Sequence, residues 1–196
     1  MAHMYGMAFE FLYQLAGGTQ VFFLGKVPSP KVLLDALATV KPYMVITVPL
    51  VIEKIFKSSV FPTTRKPFVK FIMKFPGLAS IIHKQIRKKL LHAFGGRIRY
   101  IIIGGAAINK EVEDLMKAVK LPYTVGYGMT ECAPLLSYED VARFIKGSCG
   151  KPVKRMSLRI DSDDPGTTVG EIQARGDNIM IGYYKNPEAT AAAFTK

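Results

Sequence analysis

The segment GYGMTE combines residue types with which a protein could hold a nucleotide and its metal ion. Gly126 and Gly128 let the backbone approach a ligand closely, and the ring of Tyr127 between them offers a flat face for a base. Thr130 adds a hydroxyl group, and Glu131 adds a carboxylate oxygen of the kind that Mg²⁺ binds. By residue type alone, a glycine-rich turn with a solvated glutamate remains an open alternative.

A second glycine-rich loop, IIIGGAA, lies about twenty residues upstream. Gly104 and Gly105 end a predicted strand over 98–103, and a helix over 110–119 and a strand over 122–125 follow. Two strands joined through a helix run parallel, so both loops leave the same edge of the sheet. Open α/β sheets bind ligands at that edge. Alone, Gly-Gly after a strand is also consistent with a simple turn.

The rest of the chain must position these loops, and its patterns predict an α/β fold. This fold has a mostly parallel sheet with flanking helices, followed by a small antiparallel β portion. Upstream, the predicted elements are a helix over 7–16, a strand over 19–24, a helix over 31–40 and a strand over 44–48 covered on both faces. The two strands should form a parallel pair because a helix separates them.

An irregular stretch over 58–67 and two helices broken at Pro76-Gly77 are predicted next. Strands over 155–160 and 169–175 flank a turn near the end of the sequence. We therefore predict two parts of one domain, an α/β part over 1–146 and a β-rich part over 147–196.

The charge of the chain is concentrated in one segment. The net charge is +12, from 27 Lys and Arg against 15 Asp and Glu, and residues 54–99 hold twelve of the cations and no acid. Such a block, helical over 57–95, favours a polyanion or an anionic membrane surface, whereas a solvated helical face is the alternative. We predict that residues 54–99 form a membrane-surface contact, because of this charge and because of the amphipathic run over 81–94.

The two cysteines, Cys132 and Cys149, are too few for a disulfide framework and lack zinc-site spacing. They favour a reducing compartment. The apolar N-terminal stretch resembles neither a signal peptide nor a convincing membrane span, so the predicted location is cytoplasmic, with peripheral contact at the inner membrane surface.

Four motifs occur in an order that resembles the adenylate-forming, or AMP-binding, superfamily. They are GGAAINKEVEDL, GYGMTE, GSCGKPV and GEIQARGDNIMIGYYKNPEAT. In addition, AHMYG resembles the family segment whose histidine lies near the acyl pocket, and KPYMVITVPLVIEKIF resembles a stretch of long-chain fatty acyl-CoA synthetases. The chain thus resembles an internal fragment of the N-terminal domain of such a ligase.

The resemblance implies a role for each matching residue. The nucleotide-binding residues would be Gly104, Gly105, Ala106, Gly126, Tyr127, Gly128, Met129 and Thr130. Thr130 and Glu131 would be catalytic, with Thr130 on the α-phosphate and Glu131 as the Mg²⁺ ligand. His3 and Gly105 would lie at the acyl pocket.

The resemblance also implies a two-step reaction of a long-chain fatty acid with ATP and coenzyme A. The carboxylate forms an acyl-adenylate and pyrophosphate, and coenzyme A then displaces AMP. The family's phosphate loop, ribose-binding TGD motif and C-terminal lysine do not occur in the sequence, so we expect the fragment to be inactive alone. Two alternatives remain: an adenylation domain that loads an amino or aryl acid onto a carrier protein, and a basic nucleic-acid-binding module. No recognised nucleic-acid-binding motif supports the latter.

Overall fold

The computed structural model describes residues 3–25 and 29–195. The α-helices are α1 (Tyr13–Ala16), α2 (Pro30–Val40), α3 (Pro49–Ser59), α4 (Phe61–Thr64), α5 (Pro67–Ile72), α6 (Pro76–Ala93), α7 (Lys110–Ala118) and α8 (Pro187–Ala193). The strands are β1 (Met44–Thr47), β2 (Tyr100–Ile103), β3 (Tyr123–Val125), β4 (Tyr127–Gly128), β5 (Leu135–Tyr138), β6 (Lys151–Pro152), β7 (Met156–Asp161) and β8 (Glu171–Gly176). A π-helical turn (Gly6–Leu12) and a 3-10 helix (Thr130–Cys132) complete these elements.

A three-stranded sheet of order β1-β2-β3 forms the centre of the fold, and both of its pairings are parallel. Ile46 lies opposite Ile102, and Ile103 lies opposite Val125. Helix α7 connects β2 to β3, and the side chain of its N-cap Asn109 accepts hydrogen bonds from the next turn. The predicted α/β class and the predicted βαβ unit are confirmed.

The main core lies between this sheet and the helices that flank it. Ile101, Phe56 and Met116 are completely buried, and they come from β2, α3 and α7 respectively. The inner face of α6 adds Ile86 and Leu90 to the same cluster. Because each element contributes its apolar stripe, the strands and the loops that follow them are held in fixed positions.

Two predicted features of the N-terminal half were wrong. Residues 19–25 form no strand, because a strand needs a hydrogen-bonded neighbour and these residues pair with none of the described strands. The Thr19 N–H and hydroxyl both donate to the carbonyl of Gln14, which closes the preceding helix. Residues 58–67 are not irregular, because α3 continues to Ser59 and α4 follows, with Pro62 in the first turn where proline is tolerated.

The C-terminal part is antiparallel, as predicted. Strands β7 and β8 pair along six residues, and β4, β5 and β6 form a second small sheet. Cys132, Leu136 and Met156 are buried together between these sheets. Strand β6 of the predicted β-rich part therefore pairs with β5 of the α/β part. The boundary between 146 and 147 stays a prediction.

Across residues 3–25 and 29–195, no helix combines the length and the apolar character that crossing a bilayer requires. Cys132 is buried and Cys149 is exposed, and both thiols are free.

Candidate active site

A cavity of about 200 Å³ opens at the edge of the parallel sheet where β2 and β3 end. Its lining residues are His3, Tyr5, Phe9, Tyr13, Met44, Ile46, Ile102, Ile103, Gly104, Gly105, Gly126, Tyr127, Gly128, Met129, Thr130, Pro134, Leu135 and Tyr138. The cavity therefore contacts both glycine-rich loops.

The side chains on one face of the parallel sheet form one wall of the cavity. Met44, Ile46 and Ile102 are half-buried and line it, whereas Ile101 faces the core and is completely buried. The prediction that strand 44–48 is covered on both faces was wrong, because one face of β1 opens into the cavity. The wall is apolar, so it suits the hydrocarbon part of a ligand.

The first glycine loop lies under an aromatic ring. A Cβ atom at Gly104 would lie 2.9 Å from Cε2 of Tyr5, and the Tyr5 hydroxyl donates a hydrogen bond to the Thr47 carbonyl at 3.3 Å. Burial, reinforced by the charge of Glu10, raises the pKa of Tyr5 above its ordinary value. The hydroxyl thus stays protonated and keeps its role as donor. Gly105, with φ +86°, has a backbone conformation that favours glycine.

Sequence analysis missed the aromatic side chains of the N-terminal helix that line the cavity. Tyr5, Phe9 and Tyr13 recur every four residues, and the rings of Tyr5 and Phe9 pack edge to face with centroids 5.4 Å apart. The spacing was visible in the sequence. Its relevance to the loops depends on where the helix packs, which the pattern does not reveal.

The second glycine loop folds back on itself. The Gly126 N–H donates to the Ile103 carbonyl at 2.9 Å, and β4 then pairs with β5. A Cβ atom at Gly128 would lie 1.7 Å from the backbone carbonyl oxygen of Pro134, so no larger residue fits there without backbone movement. This close approach places Tyr127 and Thr130 at the cavity.

Glu131 is held by the segment that follows β8. The Tyr183 hydroxyl donates to Glu131 Oε1 at 2.8 Å, and the Met180 N–H donates to the Glu131 carbonyl at 2.7 Å. Hydrogen bonds from its own backbone N–H and from Tyr183 lower the pKa of the Glu131 carboxyl. A carboxylate that stays ionised is the form that binds a cation.

A side-chain amide fixes the same turn. Nδ2 of Asn178 donates to the carbonyls of Cys132 and Leu135 at 2.6 and 2.9 Å. Tyr183 and Asn178 belong to the long C-terminal motif of the sequence, but sequence analysis assigned no role to either. Their contacts with the turn span 43 to 52 positions, so no local pattern indicates them.

The structure brings most of the predicted site residues to one cavity. His3, Gly104, Gly105 and all residues from Gly126 to Thr130 line it. Ala106 does not line the cavity and is exposed beyond Gly105, and Glu131 follows Thr130 outside the lining and faces Tyr183. Ala2 of the AHMYG segment lies outside the described residues. The roles that the resemblance implies for these residues stay predictions.

The donor set near Glu131 fits a metal that the substrate helps to hold. Among the described residues, no three His, Cys, Asp or Glu side chains are placed so that they could hold a metal ion together. Mg²⁺ is commonly held by one or two carboxylates together with substrate phosphates. Glu131 supplies such a carboxylate beside the Thr130 hydroxyl, whereas a site that holds a metal without substrate would need more ligands.

Comparison with known proteins identifies relatives among acid–CoA ligases. The chain is 30% identical over 185 residues to long-chain-fatty-acid–CoA ligase FadD15 of Mycobacterium bovis, covering 84% of this chain and 30% of that one. It is 40% identical over 108 residues to 4-coumarate–CoA ligase 2 of Oryza sativa subsp. japonica, covering 48% of this chain and 19% of that one.

A solved structure extends the likeness to the whole fold. A malonyl-CoA ligase in a product complex with methylmalonyl-CoA and AMP matches with a TM-score of 0.69 and 26% identity, covering 99% of this chain and 37% of that one. This chain thus spans between 19% and 37% of the length of these three proteins. The sequence matches the family described as AMP-binding enzyme over residues 1–184. With this match, this fold and these relatives, the chain belongs to the AMP-binding enzyme family.

Proposed function

We propose that this chain is the adenine- and metal-binding part of an AMP-forming ligase that joins a long-chain fatty acid to coenzyme A. The observation that carries the proposal is the single cavity at which the two glycine loops meet an apolar wall. The similarity to a mycobacterial ligase named for long-chain fatty acids supports the choice of acid.

In this proposal, different parts of the cavity bind the nucleotide base and the acyl chain. The ring of Tyr127 stacks against the base, and Gly126 and Gly128 let the backbone follow it closely. The acyl chain lies along the apolar wall that includes Met44 and Ile46. Such positioning of two reactants replaces an encounter in solution and supplies much of the rate enhancement.

The proposed reaction has two displacements. A carboxylate oxygen of the acid attacks the α-phosphorus of ATP, and the bond to pyrophosphate breaks. The thiol sulfur of coenzyme A then attacks the acyl carbonyl carbon, AMP leaves with the bonding electron pair, and the thiol proton is released. Glu131 is the residue that would hold Mg²⁺, which when bound would offset the charge on the phosphates, and Thr130 would contact the α-phosphate.

We also propose that the 196-residue chain does not catalyse adenylation by itself. None of the described residues that line the cavity is a lysine or an arginine. Phosphoryl chemistry depends on groups that stabilise the charge developing at phosphorus. We expect no fatty-acid-dependent exchange of pyrophosphate into ATP by the chain. Exchange that Glu131→Ala abolishes would contradict this expectation.

Nucleotide binding tests the proposal directly. Titration of the chain with AMP should give saturable binding, and Tyr127→Ala should weaken that binding about 10-fold because base stacking on an aromatic ring contributes about 1–3 kcal/mol. The matched control is Tyr184→Ala, since Tyr184 is 88% exposed and does not line the cavity. Equal AMP affinity of both variants would contradict the assignment of Tyr127.

The choice of acid needs its own experiment. The 40% identity to a 4-coumarate–CoA ligase favours an aromatic acid as the second candidate. Non-hydrolysable palmitoyl and coumaroyl adenylates can be compared by calorimetry on the same chain. Tighter binding of the palmitoyl compound supports the long-chain acid, and tighter binding of the coumaroyl compound contradicts it while leaving AMP-forming ligation intact.

A further inference from the structure

The surface around the turn between α5 and α6 exposes large apolar side chains. We call residues 66–81 the α5–α6 tip; its exposed apolar residues are Phe68, Phe71, Phe75, Leu78 and Ile81. Their exposed fractions are 72%, 58%, 49%, 49% and 54% in that order. The rings of Phe71 and Phe75 pack edge to face with centroids 5.4 Å apart. Exposed apolar side chains that cluster on a charged surface mark a site of interaction.

Lysines are interleaved with these side chains. Lys66, Lys70 and Lys74 are all exposed, and further cations follow along the outer face of α6. Of the twelve cations in residues 54–99, Arg65 forms an ion pair, with Glu111, and the other eleven have no carboxylate within 4.0 Å in the described part of the chain. The tip therefore presents uncompensated positive charge beside apolar rings.

The structure narrows the predicted membrane contact, residues 54–99, to one part of that segment. The amphipathic run 81–94 turns Ile86 and Leu90 into the protein core, and Ile82 packs against the same cluster. Most of this stripe is consequently covered by protein and is not the main exposed apolar surface of the segment. The exposed apolar residues lie instead at the start of α6 and on α5.

We propose that the α5–α6 tip docks on an anionic lipid bilayer. The rings of Phe68, Phe71 and Phe75 enter the boundary between headgroups and acyl chains. The lysines extend their aliphatic stems across that boundary and place their ammonium groups at the lipid phosphates. This surface is separate from the cavity, so the proposal does not depend on which acid the ligase uses.

Two features favour lipid over nucleic acid as the partner. Leu78 and Ile81 are aliphatic and offer no ring on which a base could stack. In addition, a mostly apolar groove of about 380 Å³ opens between α5 and α6, with Phe68 and Lys89 among its lining residues. An acyl chain below a negative headgroup matches an apolar groove with a cation beside it.

Vesicle co-sedimentation tests the proposal with the whole chain. The two vesicle types are phosphatidylcholine alone and phosphatidylcholine mixed with phosphatidylglycerol. We expect binding to the mixed vesicles only. Phe68→Ser with Phe71→Ser and Phe75→Ser should weaken binding at least tenfold, as should Lys66→Glu with Lys70→Glu and Lys74→Glu. All six side chains are exposed, and unchanged circular dichroism should verify that the variants fold.

The matched control makes the same charge change elsewhere. Lys110, Lys117 and Lys120 are exposed and lie on or beside α7. Changing these three to Glu should alter binding less than twofold. If this control loses binding as strongly as the tip variants, vesicle binding depends only on the net charge of the chain, and the proposal is overturned. Preference of the chain for an oligonucleotide over the mixed vesicles would also overturn it.

A fluorescent reporter distinguishes insertion from loose attraction. The chain has no tryptophan, so Phe71→Trp introduces one fluorophore at the tip, and Tyr184→Trp introduces one at an exposed position outside it. We expect mixed vesicles to shift the emission of the Phe71→Trp variant to shorter wavelength and to leave that of the Tyr184→Trp variant unchanged. Sedimentation of the Phe71→Trp variant without that shift would contradict insertion of the tip.

Discussion

At the scale of single residues, the Glu131 carboxylate accepts a hydrogen bond from a tyrosine that is far away in the sequence. The hydroxyl of Tyr183 donates to Glu131 Oε1 at 2.8 Å. This bond lowers the pKa of Glu131 and raises that of Tyr183, so the carboxylate stays charged and the phenol stays protonated. It also orients the oxygen, and such supporting hydrogen bonds typically tune metal sites.

We predict that Tyr183→Phe reduces the factor by which Mg²⁺ strengthens ATP binding. The reduction should be about 10-fold, the usual cost of losing such a supporting contact. The folded-state pKa of Glu131 is lowered, and without the donor it rises towards its ordinary value. The pH at which Mg²⁺-dependent ATP binding is half lost should therefore move upwards. Calorimetric titrations of ATP at several pH values measure both effects.

The neighbouring Tyr184 supplies the control for this prediction. It is 88% exposed, and Tyr184→Phe should leave both the Mg²⁺ dependence and the pH profile unchanged. Identical behaviour of the two variants would show that the bond between Tyr183 and Glu131 does not tune the metal site.

A glycine provides a second test at this scale. Gly128→Ala would place a Cβ atom 1.7 Å from the Pro134 carbonyl oxygen, and the backbone would have to move. We expect a loss of about 1–3 kcal/mol in the free energy of unfolding, typical of an overpacked position, together with weaker AMP binding. Urea denaturation and AMP titration measure the two consequences.

Gly77→Ala is the matched comparison, since a Cβ atom there meets nothing within 4 Å and the residue lies in the first turn of α6. Alanine is the better helix former by up to about 1 kcal/mol, so this variant should be unchanged or slightly more stable. A Gly128→Ala protein as stable as the Gly77→Ala protein would refute the close approach at Pro134.

At the scale of elements, the segment after β8 is attached to the turn that bears Glu131. Asn178 donates to two carbonyls of that turn region, and the Met180 N–H donates to a third. These bonds connect the segment after β8 with the stretch between β4 and β5 and with Leu135 at the start of β5. The C-terminal β portion thus acts as a support for the cavity.

We predict that Asn178→Asp loosens this support, because the aspartate side chain keeps the shape but has no N–H to donate. Two carbonyls would lose their donor, which costs about 1–3 kcal/mol for a buried group. Hydrogen exchange of residues 129–136 should increase more than exchange in the parallel sheet. The comparison variant is Asn186→Asp, which retains the acceptor that caps α8 and should leave exchange at 129–136 unchanged.

At the scale of the whole molecule, α6 separates a core from an outward surface. Leu90 is 1% exposed and lies in the main cluster, whereas Leu78 on the same helix is 49% exposed. One helix therefore stabilises the fold near its C-terminal end and presents apolar surface near its beginning. This division is what the proposed membrane contact requires.

We predict that Leu90→Ala lowers the free energy of unfolding by about 2–5 kcal/mol, the range for buried leucines. Leu78→Ala should change it by no more than about 0.5 kcal/mol, as expected of exposed positions. Urea denaturation followed by circular dichroism compares the two. A large loss of stability in Leu78→Ala would mean that this side chain belongs to the core and not to the α5–α6 tip.

The sequence by itself determined the elements whose signals are local. The β-branched runs at β2 and β3, the Asn109 cap of α7 and the turn between β7 and β8 all act within a few residues. The position of both glycine loops at one edge of the sheet followed from the parallel connection between β2 and β3. These features sufficed to predict the fold class and to place the two glycine loops together, but not to find Tyr5, Phe9 and Tyr13 in the cavity lining.

Only the tertiary structure decided what depends on contacts between distant segments. The predicted strand over 19–24 does not form, because a strand needs a hydrogen-bonded neighbour and the fold places no described strand beside these residues. One face of β1 is open because the cavity lies there, and Glu131 meets Tyr183 across 52 positions. The apolar stripe of α6 could equally have faced lipid or protein by its spacing alone. Packing beside α2 and into the main cluster assigned it to the core, because burying that stripe inside the protein removes its apolar surface from water.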